Sequence, residues 1–198
     1  MKSSMSLHEL GILHKTDKAA DHPIHGQGHG FCKFYDQHLS SIRFDNLKIL
    51  EIGIFDGASL KMWEDYFENS KIYGIDILMD PRAKLINNGR ITSFKMDQGN
   101  VNDLTKLSKE YGPFDIVIDD GSHFAHHQWI SWKLFSDSPV FIWEDLHTSR
   151  YSPHMNMTNS LGESPLDFAK RLSTTEKNCF LFDRDGDEKH VTFIRINK

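Results

Sequence analysis

KILEIGIFDG, residues 48–57, decides the fold. A short apolar run leads straight into Glu51, Gly53 and Gly57, and SLKMWEDYF, residues 59–67, follows with helix-like spacing. That order reads as a buried strand, a tight turn and an amphipathic helix. Gly53 lets the backbone turn sharply, and Gly57 permits a ligand to approach the loop closely. A dinucleotide-binding turn would carry a second glycine where Phe55 stands, so that a pyrophosphate meets the helix N-terminus. Here an acid precedes the first glycine instead, which suits a cationic, phosphate-free ligand.

Outward from this unit the rhythm repeats. KIYGIDI (71–77), ITSFKM (91–96), FDIVID (114–119) and VFIWE (140–144) are short apolar runs bounded by Gly, Pro or Asp. Between them lie a Pro81-initiated segment, VNDLTKLSKEY (101–111) and AHHQWISWKLF (125–135), each spaced like a helix. Strands alternating with helices imply right-handed crossovers and a mostly parallel sheet. After a helix near residues 165–172, NCFLF and HVTFIRI flank DRDGDE and read as an antiparallel hairpin. The DRDGDE turn lacks the closing acid of a calcium loop. The expected architecture is therefore α/β and Rossmann-like, mostly parallel with a C-terminal antiparallel hairpin, an order that resembles the seven-stranded class I methyltransferase sheet. The reading is one domain over 1–198, with a helical cover in 1–45 (helices near 6–13 and 31–43) and the α/β core in 46–198. The polar stretch 146–164 is long for a connection and reads as a lid or binding loop.

Composition narrows the function. With 28 acidic against 23 basic residues the formal charge is −5, and no basic stripe favours a nucleic-acid or anionic-membrane partner. No apolar run reaches the ~18 residues of a membrane span, and the N-terminus lacks a secretory pattern, so a cytoplasmic location is expected. Cys32 and Cys179 form no staple or zinc knuckle.

Three features carry chemistry. Asp76, ending KIYGID, is placed to accept ribose hydroxyls, and Asp97, after the third strand, to approach an adenine amino group; the acidic loop suits a ligand such as S-adenosylmethionine (SAM) better than NAD. FDIVIDDGSH and WEDLH end neighbouring strands, so Asp119, Asp120, His123, Glu144 and Asp145 converge at the carboxyl edge of the sheet. Such a concentration of carboxylates without a cation is repulsive, and hard oxygen donors favour Mg²⁺ over zinc. Asp120, Glu144 and Asp145 are expected to hold the metal, with Asp119 turned towards the ligand amine because strand alternation stops at the strand end. His123 is the expected general base for a substrate hydroxyl; His126 and His127 compete for that role, and the N-terminal histidines follow no ligand spacing.

LEIGIFDGASLKMWEDYF, GIDI, FDIVIDDGSH and WEDLHTSRY resemble the metal-dependent, SAM-dependent O-methyltransferases of macrolide sugars, over residues ~13 to ~150. HKTDK, residues 14–18, resembles a motif that this family carries ahead of the sheet to help cover the cofactor. The resemblance implies Mg²⁺ on Asp120, Glu144 and Asp145, and His123 as base. It also implies SAM near Glu51, Gly53, Gly57, Asp76, Asp97 and Asp119, and a sugar or glycoside hydroxyl as acceptor. A homo-oligomer is left open. The chain looks like the catalytic domain without the family's additional N-terminal region, and its WED replaces the more usual IED or VED. Two alternatives remain: an antibiotic-tailoring metal hydroxylase on the same scaffold, with an iron site of His and carboxylates, and a non-catalytic SAM- or nucleotide-binding module.

Overall fold

The computed structural model describes residues 4–19, 21–22 and 26–197. Helix α1 (Leu7–His14) starts at Ser6, whose hydroxyl accepts from Glu9 N while the Glu9 carboxylate accepts from Ser6 N, a reciprocal cap. It stops at Lys15, which is left-handed at φ 62°. Helix α2 (Phe31–Leu39) runs into a 3-10 turn, Ser40–Ile42. Both helices lie close to the ranges that the sequence predicts.

The core alternates as expected: β1 (Lys48–Ile52), α3 (Ala58–Tyr66), β2 (Lys71–Asp76), β3 (Asn87–Asn88), β4 (Ile91–Lys95), α4 (Val101–Tyr111), β5 (Ile116–Asp119), α5 (Ala125–Phe135), β6 (Val140–Trp143), α6 (Pro165–Thr175), β7 (Cys179–Asp183) and β8 (Val191–Ile196). The sheet order is β3-β4-β2-β1-β5-β6-β8-β7. β1, β2, β4, β5 and β6 are parallel, and β8 returns antiparallel to β6 with β7 at its outer edge.

Two expectations are corrected. The sheet has eight strands, not seven, because Asn87–Asn88 pairs antiparallel with β4. The Pro81 segment is not a helix: Ala83 N closes a turn on Asp80 O at 2.9 Å, but Lys84 N, which a helix would direct to Asp80 O, donates to Phe55 O at 3.0 Å, and the chain then enters β3.

Side chains from α1, α2 and α3 pack with Ile49, Ile116, Ile118, Val140 and Ile142 on one face of the sheet. Those from α4, α5 and α6 pack with Leu50, Ile52, Val117, Phe141 and Trp143 on the other. Each strand thus divides its residues between two cores by simple alternation. Ile52 pairs with Asp119 and Asp119 with Trp143, so β1, β5 and β6 end level with one another. β1 and β5 are neighbours whose crossovers leave in opposite directions, the switch point at which open α/β sheets bind ligands.

Candidate metal and cofactor cleft

Alternation continues one residue past the strand ends and sorts the acids. Asp119 follows Val117 to the α5 face, where its carboxylate accepts from the Ser131 hydroxyl and from Gln98 Nε2 at 2.6 Å. Asp120 and Glu144 fall on the opposite face, the one that Glu51 shares. Backbone bonds hold them there: Asp120 N donates to Ile52 O and Glu144 N to Asp119 O, each at 2.9 Å. The expectation that Asp119 and Asp120 both turn into the site is therefore not what the structure places.

A residue from the N-terminal cover fills the space between these acids. Lys18 Nζ donates to Asp120 Oδ2 and to Glu144 Oε2 (2.9 Å), and lies 3.4 Å from Glu51 Oε1. Its side chain is 1% exposed. Glu51 is fully buried and also accepts from the Ser59 hydroxyl (2.7 Å) and Trp63 Nε1 (3.3 Å). Burial alone would lower the Lys18 amine, but Asp120, Glu144 and Glu51 together hold it well above its ordinary value. Burial pushes Glu51, Asp120 and Glu144 up in spite of that ammonium. One positive charge does not neutralise two buried carboxylates and a third that is partly buried, and the group favours a further cation or a proton.

Asp145 sits at the rim. Burial raises its carboxyl, but His29, His123, His147 and Lys18 outweigh that and hold it below the usual range. His123 Nε2 lies 3.8 Å from Asp145 Oδ2, and His29 Nδ1 3.5 Å from Asp145 Oδ1. Asp120, His123 and Asp145 each offer a ligand atom, all within 4.8 Å of one another. Glu144 Oε1 and Asp145 Oδ1 are buried and, among the described residues, accept no hydrogen bond. Oxygen atoms buried without a donor are costly, and here they adjoin a carboxylate-rich cluster that suits a hard divalent ion. His123 (φ 58°) and Asp145 (φ 51°) both hold left-handed backbone, an uncommon conformation for side chains other than glycine.

This rim opens onto a cleft of about 540 Å³ that runs over the ends of β1 and β2 to Asp97 and His127. Six aspartates (17, 56, 76, 97, 120 and 145) against Lys15 and Lys18 give it an acidic lining, which favours a cationic ligand over a phosphate. Gly53 is needed here: at φ +86° a Cβ would lie 2.1 Å from the Asp120 carbonyl oxygen. Asp76 Oδ2 accepts from Ile54 N and Phe55 N, each at 3.0 Å, and so shapes the glycine turn from beneath.

Of the residues named from sequence, Gly53, Asp76, Asp97, Asp120, His123 and Asp145 line the cleft. Glu51, Asp119 and Glu144 stand behind its wall, and Gly57 faces Ile86. His127 also lines the cleft and shares a 2.6 Å hydrogen bond with the Ser122 hydroxyl, whereas His126 pairs with Asn156 outside it. Sequence reasoning assigned no role to Lys18 beyond the HKTDK string. It also passed over Gln98, whose side chain bridges Asp119 and Ser122 N.

No protein-family model matches the sequence. Demethylmacrocin O-methyltransferase of Streptomyces fradiae is 38% identical over 155 residues, covering 73% of this chain and 38% of that protein. The 8-demethyl-8-(2-methoxy-alpha-L-rhamnosyl)-tetracenomycin-C 3'-O-methyltransferase of Streptomyces olivaceus is 35% identical over 158 residues, 74% of this chain and 38% of that protein. The chain thus spans well under half the length of these relatives. The MycE methyltransferase of the mycinamycin biosynthetic pathway, solved with Mg, SAH and mycinamycin VI, superposes with a TM-score of 0.76 at 27% identity, over 99% of this chain and 56% of that one. In sequence and in fold, this chain is a homologue of the macrolide- and tetracenomycin-sugar O-methyltransferases, built on the class I SAM-dependent methyltransferase fold.

Proposed function

We propose that this chain transfers a methyl group from SAM to a hydroxyl of a sugar or glycosylated natural product, in a reaction that requires Mg²⁺ or a similar hard divalent cation. The observation that carries this reading is the gathering of Asp120, His123 and Asp145 at the rim of an acidic cleft, beside the buried free oxygen of Glu144. Asp120, Asp145 and Glu144 Oε1 are the oxygens that would hold the ion. When bound there, the ion supplies Lewis acidity that orients an acceptor hydroxyl and lowers its pKa.

The protein's own residues do the rest. His123 takes the hydroxyl proton, and Asp145 beside it favours the imidazolium that results. Gly53 lets the donor lie against the backbone at the switch point, with Asp76 and Asp97 along the nucleoside end of the cleft. Glu51, Gly57 and Asp119 act from behind, through Lys18, α3 and Gln98 respectively. The same reading places the enzyme in the cytoplasm, where its methyl donor is made. Among the described residues no helix is long and apolar enough to cross a membrane.

The test is methyl transfer from radiolabelled SAM to a panel of glycosides, in Mg²⁺ and in EDTA. Turnover in Mg²⁺ that EDTA abolishes is the expected result; SAM binding with no transfer to any acceptor would point to a binding module. His123 in the metal-ligand geometry keeps the hydroxylase reading in view, because an imidazole that coordinates iron through Nε2 has no lone pair left there for a proton. Methyl transfer by iron-free protein in Mg²⁺ would reject it.

A further inference from the structure

The N-terminal cover and the acid cluster meet at one atom, Lys18 Nζ. The 15–19 segment that presents it is held on both sides. Thr16 N donates to Gly11 O (3.1 Å) at the end of α1. His29 N, Gly30 N and Cys32 N donate to Asp17, Ala19 and Lys18 carbonyls at 2.6, 3.2 and 3.0 Å. The two backbones touch so closely that a Cβ on Gly28 would lie 1.9 Å from the Ala19 carbonyl oxygen. The ammonium is thus delivered on a fixed backbone to a site where three strand ends supply one carboxylate each. It engages Glu144 through Oε2 and leaves Oε1, buried and without a hydrogen bond, for another cation.

We infer that Lys18 is a positioning residue for the divalent-cation site: its ammonium holds Glu51, Asp120 and Glu144 together before any metal arrives and limits how tightly the metal binds. This rests on the reading that the rim holds a divalent ion. The physical basis is charge. Without Lys18, Glu51, Asp120 and Glu144 repel one another in a buried site, so the apo protein loses stability. The same loss of a resident positive charge strengthens the attraction for an incoming dication, since interactions in such a site are weakly screened. A lysine that served only to fill the core would affect apo and metal-bound protein alike and leave metal affinity unchanged.

The experiment is calorimetric titration of MgCl₂ into the full chain, with thermal unfolding in EDTA and in Mg²⁺, for the wild type, Lys18→Met, Lys18→Arg and the double variant Lys18→Met/Glu51→Gln. Lys18→Met is expected to unfold at lower temperature in EDTA, to bind Mg²⁺ about tenfold or more tightly, and to gain more from Mg²⁺ in melting temperature than the wild type. The double variant loses one negative charge with the lysine; it should recover stability in EDTA and return towards wild-type affinity. Lys18→Arg keeps the charge and should keep the wild-type Mg²⁺ affinity. Unchanged or weaker Mg²⁺ binding by Lys18→Met, with the wild type binding normally, overturns the role of Lys18. If neither the wild type nor any variant binds Mg²⁺, the cation site itself is wrong and the role falls with it. If Lys18→Met alone does not fold, the double variant decides: folding restored by Glu51→Gln supports the charge role, and a double variant that stays unfolded overturns it.

Discussion

Asp119 and Asp120 are consecutive residues whose carboxylates point to opposite faces of the sheet, the first to Ser131 on α5 and the second to Lys18 under the N-terminal cover. One is structural support for the cleft wall; the other is exposed to whatever cation the cleft admits. Substitution separates them. Asp120→Asn is expected to abolish the Mg²⁺-dependent rise in melting temperature while the protein still binds SAM. Asp119→Asn should keep the Mg²⁺ response but cost about 1–3 kcal/mol of stability, because only one acceptor oxygen remains for Gln98 and Ser131 and a buried NH₂ replaces the other. Urea titration of both variants, with and without Mg²⁺, checks the pair.

His123 is best removed without disturbing its left-handed backbone. Asn tolerates that conformation far better than Ala, which pays about 1 kcal/mol there. His123→Asn is expected to bind SAM normally and to lose turnover by about 10²-fold or more, the usual scale for a general base. Near-normal turnover would show that the proton goes elsewhere, and His127 would then be the next residue to test.

The glycine turn makes a steric prediction. Gly53→Ala forces a Cβ to within 2.1 Å of the Asp120 carbonyl oxygen, at a φ of +86°. The strain exceeds the roughly 1–2 kcal/mol of a left-handed alanine alone, and the turn must move to relieve it. We expect a clear drop in melting temperature and weakened SAM binding, measured by calorimetry. Gly162, with open space around it, is the control: alanine there should leave SAM binding unchanged.

Near the start of the 146–164 stretch, Arg150 donates to both oxygens of Asp167, at 3.2 and 2.8 Å. Burial raises the Asp167 carboxyl, but Arg150 and the Ser164 cap outweigh it and hold it below the ordinary value. A depressed native pKa contributes stability above the unfolded pKa near 4, and that contribution is lost as pH falls through the native value. The pair is partly exposed, so the effect should stay under about 1 kcal/mol. Melting temperature should therefore fall as pH drops below about 4, with a slope that Asp167→Asn reduces.

Much of the fold was legible because its strands are buried on both faces and read as continuous apolar runs, as KILEI, IVID and VFIW do. The Pro81 segment misled because its spacing is helical while Lys84 N, which a helix would turn back on Asp80 O, donates instead to Phe55 O in the glycine turn. In the site, Asp120, His123 and Asp145 stand out because a strand end in a parallel sheet points at its ligand. The opposite facing of Asp119 was available from the same alternation, had it been carried one residue further. Lys18 was not available in that way: it reaches Asp120 across 102 positions and Glu144 across 126, and periodicity carries no information at that range.

Thr148 lies in the 3-10 turn Leu146–Arg150, and its hydroxyl is shared between two carbonyls, Asp145 O at 2.8 Å and His123 O at 3.2 Å. These are the backbones of His123, the proposed proton acceptor, and of Asp145, a proposed cation ligand, which follow different strands. A single side chain therefore yokes them and keeps their spacing. Removal of that yoke by Thr148→Val would let each drift independently, and the damage would show in rate rather than in affinity for either the donor or the ion.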